Sequence, residues 1–253
     1  MKKSNIFILS GFILLVSWLL LSGWLQANAF NGIKSGRKCS YAKIDGNDSI
    51  NQLPPFKNIK IDFEKNPEFP KIVIHYAKRQ ELSFSKGVKR ANTMSVSGDT
   101  LYLRINYANW GTDENINIGI PALNSVILSS ANNYDGGAVY TDPNHNISIS
   151  GFKANTLFIH NNSQYYLSIN KNKLKKLELK GDSLSGTIKI FDYTDYDSLD
   201  IDIQGKHGNL IFFTSYMESE KNPKPWISIK VPGHFHIEAP ADVLLLSKIT
   251  IKK

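Results

Sequence analysis

The sequence predicts an all-β protein, a right-handed parallel β-helix-like solenoid preceded by an N-terminal transmembrane or signal helix. Three observations predict it. Past residue 55 apolar and polar residues alternate with the period of two that a half-buried strand requires. In the second half these strands recur at a nearly constant step, and near the N-terminus the run IFILSGFILLVSWLLLSGWL, Ile6 to Leu25, carries no charge.

The N-terminal element comes first. Met1-Lys2-Lys3 supplies a short positive flank, and about twenty uncharged apolar residues suffice for a helical membrane span. Residues 1–29 therefore read as a signal anchor or a signal peptide. The apolar core exceeds the roughly 7 to 15 residues usual in a cleaved signal, which favours the anchor. Ala27-Asn28-Ala29, behind the polar Gln26, fits the small-x-small cleavage rule and would release Phe30 as a new N-terminus. The flanking charges do not decide between the two, because Lys34, Arg37 and Lys38 outnumber Lys2 and Lys3. Either fate places the chain in the cell envelope. An uncleaved anchor would hold it at the membrane facing the periplasm, whereas cleavage after Ala29 would free it to the periplasm or the cell surface.

Residues 30–55, with Gly32, Gly36, Gly46 and Pro54-Pro55, lack apolar periodicity and read as a basic tether. The formal charge of +8 is concentrated here: Lys2, Lys3, Lys34, Arg37, Lys38 and Lys43 all precede Ile44, leaving 24 basic against 22 acidic residues beyond it. Cations beside an apolar span sit well against anionic lipid headgroups. Nucleic acid is not an expected partner of an exported chain whose folded part is nearly neutral. The single cysteine, Cys39, has no partner for an intramolecular disulfide, and it lies too far past the apolar core for lipid attachment.

Residues 56–253 read as a single β domain, large enough for a continuous core. Its first strands are Ile59-Lys60-Ile61-Asp62-Phe63, Ile72-Val73-Ile74-His75-Tyr76, Leu82-Ser83-Phe84, Leu101-Tyr102-Leu103-Arg104-Ile105 and Ile116-Asn117-Ile118-Gly119-Ile120. No helical stripe stands out past residue 30; Leu174 to Leu179 fits a strand equally well. Further on, Leu157, Leu177 and Leu199 occupy like positions in three segments separated by 20 and 22 residues. A second series, Ile147-Ser148-Ile149, Leu167-Ser168-Ile169, Ile188-Lys189-Ile190 and Leu210-Ile211-Phe212, interleaves with it at similar steps. Two strands per repeat at fixed spacing is the pattern of stacked coils. An antiparallel sandwich or barrel is the alternative, and it requires hairpin turns. Asp135-Gly136-Gly137 is the clearest hairpin signal and stands alone. The repeat is less regular in the first half, as expected of an entry portion wrapped differently.

The block Ile116-Asn117-Ile118-Gly119-Ile120-Pro121-Ala122-Leu123-Asn124-Ser125-Val126-Ile127-Leu128-Ser129-Ser130-Ala131 resembles the strand, Pro-x-Leu turn and second strand of the head GIN domain of bacterial autotransporter-adhesin-like proteins. Phe56-Lys57-Asn58-Ile59 opening a strand and the Leu101 strand agree with that layout. The resemblance covers residues 56 to 250 through loose hydrophobic patterns. Ser130 stands where the family often has glycine. The resemblance implies an exported β-helix-like domain with an adhesive role and no catalytic residues.

No catalytic or metal site and no cofactor is expected. Gly205-Lys206-His207-Gly208 faintly resembles the Gly-His-Gly of pectin-hydrolysing β-helix enzymes, but the paired aspartates and the Arg-x-Lys motif are missing. His207 reads as part of a polar turn. Asp192, Asp195 and Asp197, then Asp200 and Asp202, concentrate carboxylates as calcium would require. The alternation of Asp200 and Asp202 with Leu199, Ile201 and Ile203 fits a solvated strand face instead. His234-Phe235-His236 would place two imidazoles on one face of a strand, too few for a zinc site. Tyr134, Tyr140, Tyr165, Tyr166, Tyr193 and Tyr196 lie in or near expected turns, where exposed rings would stack on a sugar or a protein surface, but the enrichment of tyrosine on half-buried sheet faces accounts for them more simply. Asn132-Asn133, Asn161-Asn162, Asn170 and Asn172 read as turn residues, and Asn47, Asn146 and Asn161 open N-x-Ser sequons. The expected function is that of an exported, non-enzymatic surface or envelope protein with a glycan or surface protein as ligand. A polysaccharide-active β-helix enzyme and a purely structural envelope protein are the alternatives.

Overall fold

The computed structural model describes residues 53–63, 71–84, 92–105, 115–130, 146–163, 165–182, 186–191, 194–204, 208–212 and 225–252, all within the compact unit Ala42–Lys253. The apolar segment at 6–25, the cleavage motif and all but the end of the 30–55 tether lie outside the described residues. Among the described residues no helix is long and apolar enough to cross a membrane.

Nearly all of the regular structure is strand, as the period-two patterning predicts. The first seven strands are β1 (Asn58–Phe63), β2 (Lys71–Tyr76), β3 (Glu81–Phe84), β4 (Asn92–Ser97), β5 (Thr100–Ile105), β6 (Asn115–Ile120) and β7 (Ser125–Ser130). They are followed by β8 (Asn146–Ser150), β9 (Lys153–Asn162), β10 (Tyr166–Asn170), β11 (Lys173–Gly181), β12 (Thr187–Ile190) and β13 (Asp195–Ile203). The chain closes with β14 (Asn209–Phe212), β15 (Trp226–Pro232), β16 (His236–Glu238), a helix α1 (Ala241–Leu246) and β17 (Ser247–Lys252).

The strands form two open, mixed sheets. The nine-stranded one has the order β17-β15-β13-β11-β9-β7-β1-β5-β4, and the eight-stranded one the order β16-β14-β12-β10-β8-β2-β6-β3. From β6 onward consecutive strands fall in alternate sheets, and from β8 onward each strand pairs in parallel with the strand two places further on. Such connections place residues one repeat apart at the same depth. The leucines that the 20- and 22-residue steps align are indeed register partners, Leu157 with Leu177 and Leu177 with Leu199. The second series behaves alike, Ile147 beside Leu167, Leu167 beside Ile188 and Ile188 beside Leu210.

These inward rows form one core in which Leu157, Leu177, Leu199, Ile147, Leu167 and Leu210 are completely buried. Adjacent strands stand about 4.8 Å apart, so each row is a continuous column of branched aliphatic side chains. Burying one Leu or Ile this fully contributes roughly 1.5–3 kcal/mol, and the repetition of that term is the main stabilising force of the stack.

The less regular first half has a concrete form. β1 lies between β7 and β5, β2 lies between β8 and β6, and the sheets end in the antiparallel pairs β4–β5 and β3–β6. β4 and β5 make a tight hairpin through Gly98-Asp99, with Gly98 at φ +60°. The anticipated hairpin signal at Asp135-Gly136-Gly137 lies outside the described residues, and the described hairpin uses a Gly-Asp pair, whose glycine supplies the positive φ. The Pro121-Ala122-Leu123 turn carries the chain from β6 in one sheet to β7 in the other. Leu123 is buried and Asn124 N–H donates to Lys57 C=O at 2.8 Å.

The expectation of no helix past residue 30 is corrected by α1. Pro240 precedes it with φ −54°, three leucines follow Val243, and the Ser247 hydroxyl donates to Val243 C=O at 2.6 Å. Six residues show too little periodicity to betray a helix in sequence. Val243, which is buried, docks it on the end of the core.

Candidate functional site

In three successive strands of the nine-stranded sheet the inward–outward alternation breaks at the same point, where two neighbouring residues both face away from the core. In β11, Leu174 and Leu177 point inward while the two residues between them, Lys175 and Lys176, are not buried. β13 repeats this with Tyr196 and Leu199 enclosing Asp197 and Ser198, and β9 with Asn155 and Thr156 preceding the inward Leu157. Asn155, Lys175 and Asp197 are also the residues that drop out of the pairing registers between these strands. The registers match one-to-one on both sides of these residues, so the three strands share one in-register bend that turns two successive side chains outward. The carbonyl of Lys175 accepts a hydrogen bond from Ser198 Oγ at 3.4 Å.

Because the bends stack, they form an open groove of about 540 Å³ lined by Lys153, Ala154 and Asn155 of β9, Lys173, Leu174 and Lys175 of β11, and Asp195 and Asp197 of β13. Lys153, Lys173 and Asp195 are direct register partners. Two lysines thus stand side by side about 4.8 Å apart, an arrangement of like charges that is itself unfavourable. Among the described residues none of Lys153, Lys173 and Lys175 makes an ion pair. The corner feeding the groove adds a further cation. Lys171 adopts φ +54°, where its counterpart one repeat earlier is Gly151 at φ +84°. A side chain in this left-handed region costs roughly 1 kcal/mol or more.

Beyond the bend, the outward row Thr156, Lys176, Ser198 and Trp226 runs across four strands in register. Trp226 follows Pro225 and remains 54% exposed. Lys176 lies 2.6 Å from Glu178 and 3.6 Å from Asp200. The hydrogen bond to the Glu178 carboxylate holds the Lys176 ammonium above the ordinary lysine range, with Asp200 adding to it. This lysine is engaged, unlike those in the groove. From β15 to β9, row and groove present the exposed Trp226, then Ser198 with Asp195 and Asp197, then Lys173, Lys175 and Lys176, and last Lys153 with Asn155 and Thr156.

The residues singled out in the sequence fare differently. Asp200 and Asp202 are outward on β13, each beside a lysine of a neighbouring strand: Lys176 at 3.6 Å from Asp200, and Lys180 and Lys230 in register with Asp202. Cations between the carboxylates suit a mixed-charge face, and among the described residues no three His, Cys, Asp or Glu side chains converge as a metal site would need. Asp192, Tyr193, Tyr134, Tyr140 and His207 lie outside the described residues. His234 and His236 are exposed, but His234 belongs to a turn closed by Phe235 N–H to Pro232 C=O at 3.1 Å, so the two do not share a strand face.

Three of the tyrosines follow the structural reading rather than the ligand-stacking one. Tyr165 and Tyr166 are buried, at 2% and 5% exposed, and Tyr196 is completely buried. Tyr165 packs edge-on against Phe63 with ring centroids 4.2 Å apart, and Tyr196 sits in register with inward Leu174. Asn132 and Asn133 lie outside the described residues, Asn161, Asn162 and Asn170 fall in β9 and β10 rather than in turns, and Asn172 sits at a corner that its side chain holds. Asn172 Oδ1 accepts from Phe152 N–H at 3.0 Å, while its Nδ2 donates to Ile149 C=O at 3.1 Å and Asn170 C=O at 2.9 Å. Asn161, which opens a sequon, is completely buried, so its amide cannot take a glycan in the folded protein.

The lysine groove and Trp226 were not singled out in the sequence. A detectable signal did exist, since Asn155-Thr156, Lys175-Lys176 and Asp197-Ser198 interrupt the alternation at the same point of three aligned repeats.

No family model matches the chain, and no curated protein matches it. Among solved structures it is similar to a candidate adhesin of Bacteroides fragilis, with 12% identity over 79% of this chain and 90% of that one and a TM-score of 0.48. It is also similar to a candidate adhesin of Parabacteroides merdae, with 13% identity over 81% and 90% of the two chains and a TM-score of 0.32. A third, a candidate lipid-binding protein of Parabacteroides distasonis, shows 13% identity over 82% and 94% and a TM-score of 0.31. At such identities no residue role passes from those proteins to this chain.

Proposed function

We propose that this chain is an exported, non-enzymatic envelope or surface protein whose 56–253 domain binds an extended ligand, a glycan or a surface protein, in an adhesin-like role. The observation that carries the reading is the stacked bend in β9, β11 and β13, which opens a groove in a regular sheet face next to the outward row Thr156, Lys176 and Ser198, a row that register extends to Trp226 on β15. Lys153 and Lys173 stand as register neighbours at this bend without an ion pair among the described residues, an unfavourable placement of like charge that a ligand would relieve.

In this reading the two sheets are the faces of a right-handed parallel β-solenoid of the head GIN type. The shared registers one repeat apart and the Pro121-Ala122-Leu123 corner support that assignment. Residues 6–25 serve as the export signal and, uncleaved, as a membrane anchor with 30–55 as its tether. Rigid stacked coils suit recognition of a long molecule because each strand adds one more row of contacts at constant spacing.

The test is an array of bacterial and host glycans and surface proteins probed with the full chain in detergent micelles. Reproducible binding to one ligand class is expected. Silence across both classes would overturn the binding role.

A further inference from the structure

We propose that the groove takes an acidic glycan in which neutral and acidic sugars are mixed, an inference that rests on the reading of this groove as the binding site. The glycan lies along the stack, across the strands, with one ring on Trp226 and its carboxylate, sulfate or phosphate groups over Lys153, Lys173 and Lys175.

The direction follows from register. Trp226, Ser198, Lys176 and Thr156 are successive neighbours across β15, β13, β11 and β9, and the groove runs beside this row through β13, β11 and β9, one strand short of Trp226. Three strand spacings cover about 14 Å, the reach of a short oligosaccharide. The half-exposed indole offers the flat apolar surface on which a sugar ring stacks, and the hydroxyls of Ser198 and Thr156 and the amide of Asn155 are positioned for sugar hydroxyls.

The acidic character follows from the lysines. Side-by-side Lys153 and Lys173, with Lys175 on the same floor, place three cations in a concave surface. An anion between them would relieve their mutual repulsion. Opposing this at the β13 end are Asp195 and Asp197, which repel acidic groups and accept from hydroxyls. The groove is therefore polarised along its length, cationic over β9 and β11 and anionic over β13. A uniformly charged polyanion such as nucleic acid meets repulsion at β13, whereas a chain with a neutral sugar there and an acidic one further along meets none.

The experiment is titration calorimetry of the full chain in detergent micelles. The probes are an alternating uronate and N-acetylhexosamine oligosaccharide, its carboxyl-reduced form, and sulfated and phosphorylated oligosaccharides of the same backbone. Acidic probes are expected to bind more tightly than the carboxyl-reduced one, with the arms revealing which acid is preferred. Lys173→Gln or Lys175→Gln should weaken acidic probes about tenfold and leave the neutral one unchanged, while Trp226→Ala weakens both. Asp197→Asn should raise affinity for the fully sulfated probe. These positions are exposed or half-exposed, so the variants fold. Equal affinity for charged and neutral probes, insensitivity to the lysine variants, or tighter binding to single-stranded DNA would overturn the acidic-glycan assignment while leaving a binding role intact. No binding by any saccharide, together with a silent array, would overturn both.

Discussion

At the scale of single residues, the buried polar side chains are what hold the corners of the stack. Asn172 saturates its amide with three backbone partners, tying the corner at 170–172 to residues 149 and 152 of the repeat before it. Asn172→Ala would leave a buried N–H and at least one carbonyl unpaired and should destabilise the protein by about 2–4 kcal/mol, measured by urea unfolding of the full chain. Asn172→Asp keeps the acceptor for Phe152 N–H but sets a buried carboxylate against the Ile149 and Asn170 carbonyls, and at neutral pH should destabilise at least as much as the alanine. The sequence makes Asn172 legible as a turn residue but not as a bracket between repeats, because its partners become neighbours only through the stacking. Tyr165, Tyr166 and Tyr196 are open to two readings in the sequence. Their position near turns suggests exposure and their β-propensity a half-buried face, but the corners are themselves packed, and Phe63, far off in sequence, supplies the surface that covers Tyr165.

At the scale of elements, the sequence is most transparent where one strand repeats another. Leu157, Leu177 and Leu199 can be aligned by counting, and the register that pairs them follows from the same count. Leu177→Ala, in the middle of this column, removes packing from both neighbours at once and should cost about 2–5 kcal/mol, read from the shift of the thermal or urea midpoint. The elements that resist prediction are those fixed by something outside themselves. β1 and β2 cannot be placed between β5 and β7, and between β6 and β8, from their own alternation, since any apolar face would satisfy it. α1 forms from six residues because Val243 docks on the core. β17 is the edge of its sheet, as its pattern of Lys248 and Lys252 around Ile249 and Ile251 predicts, and lysines on such an edge discourage further strand pairing.

At the scale of the whole described unit, the repeat that builds the core also builds the groove. A bend in one strand would be a local irregularity; the same bend at β9, β11 and β13 becomes a surface feature three strands long. Its chemistry was hidden in the sequence because Lys153, Lys173 and Asp195 are separated by 20 and 22 residues and acquire meaning only as neighbours. Trp226 belongs to a strand outside the regular 20- and 22-residue series, yet it pairs with Ser198 and completes the outward row. The central claim is that this row and groove form the ligand-binding surface. Amide hydrogen exchange on the full chain, with and without saturating acidic oligosaccharide, tests it most directly. Slowed exchange confined to 153–156, 173–176, 195–198 and the start of β15 is the predicted result; protection at another face, with these segments unchanged while the ligand is bound, would contradict it.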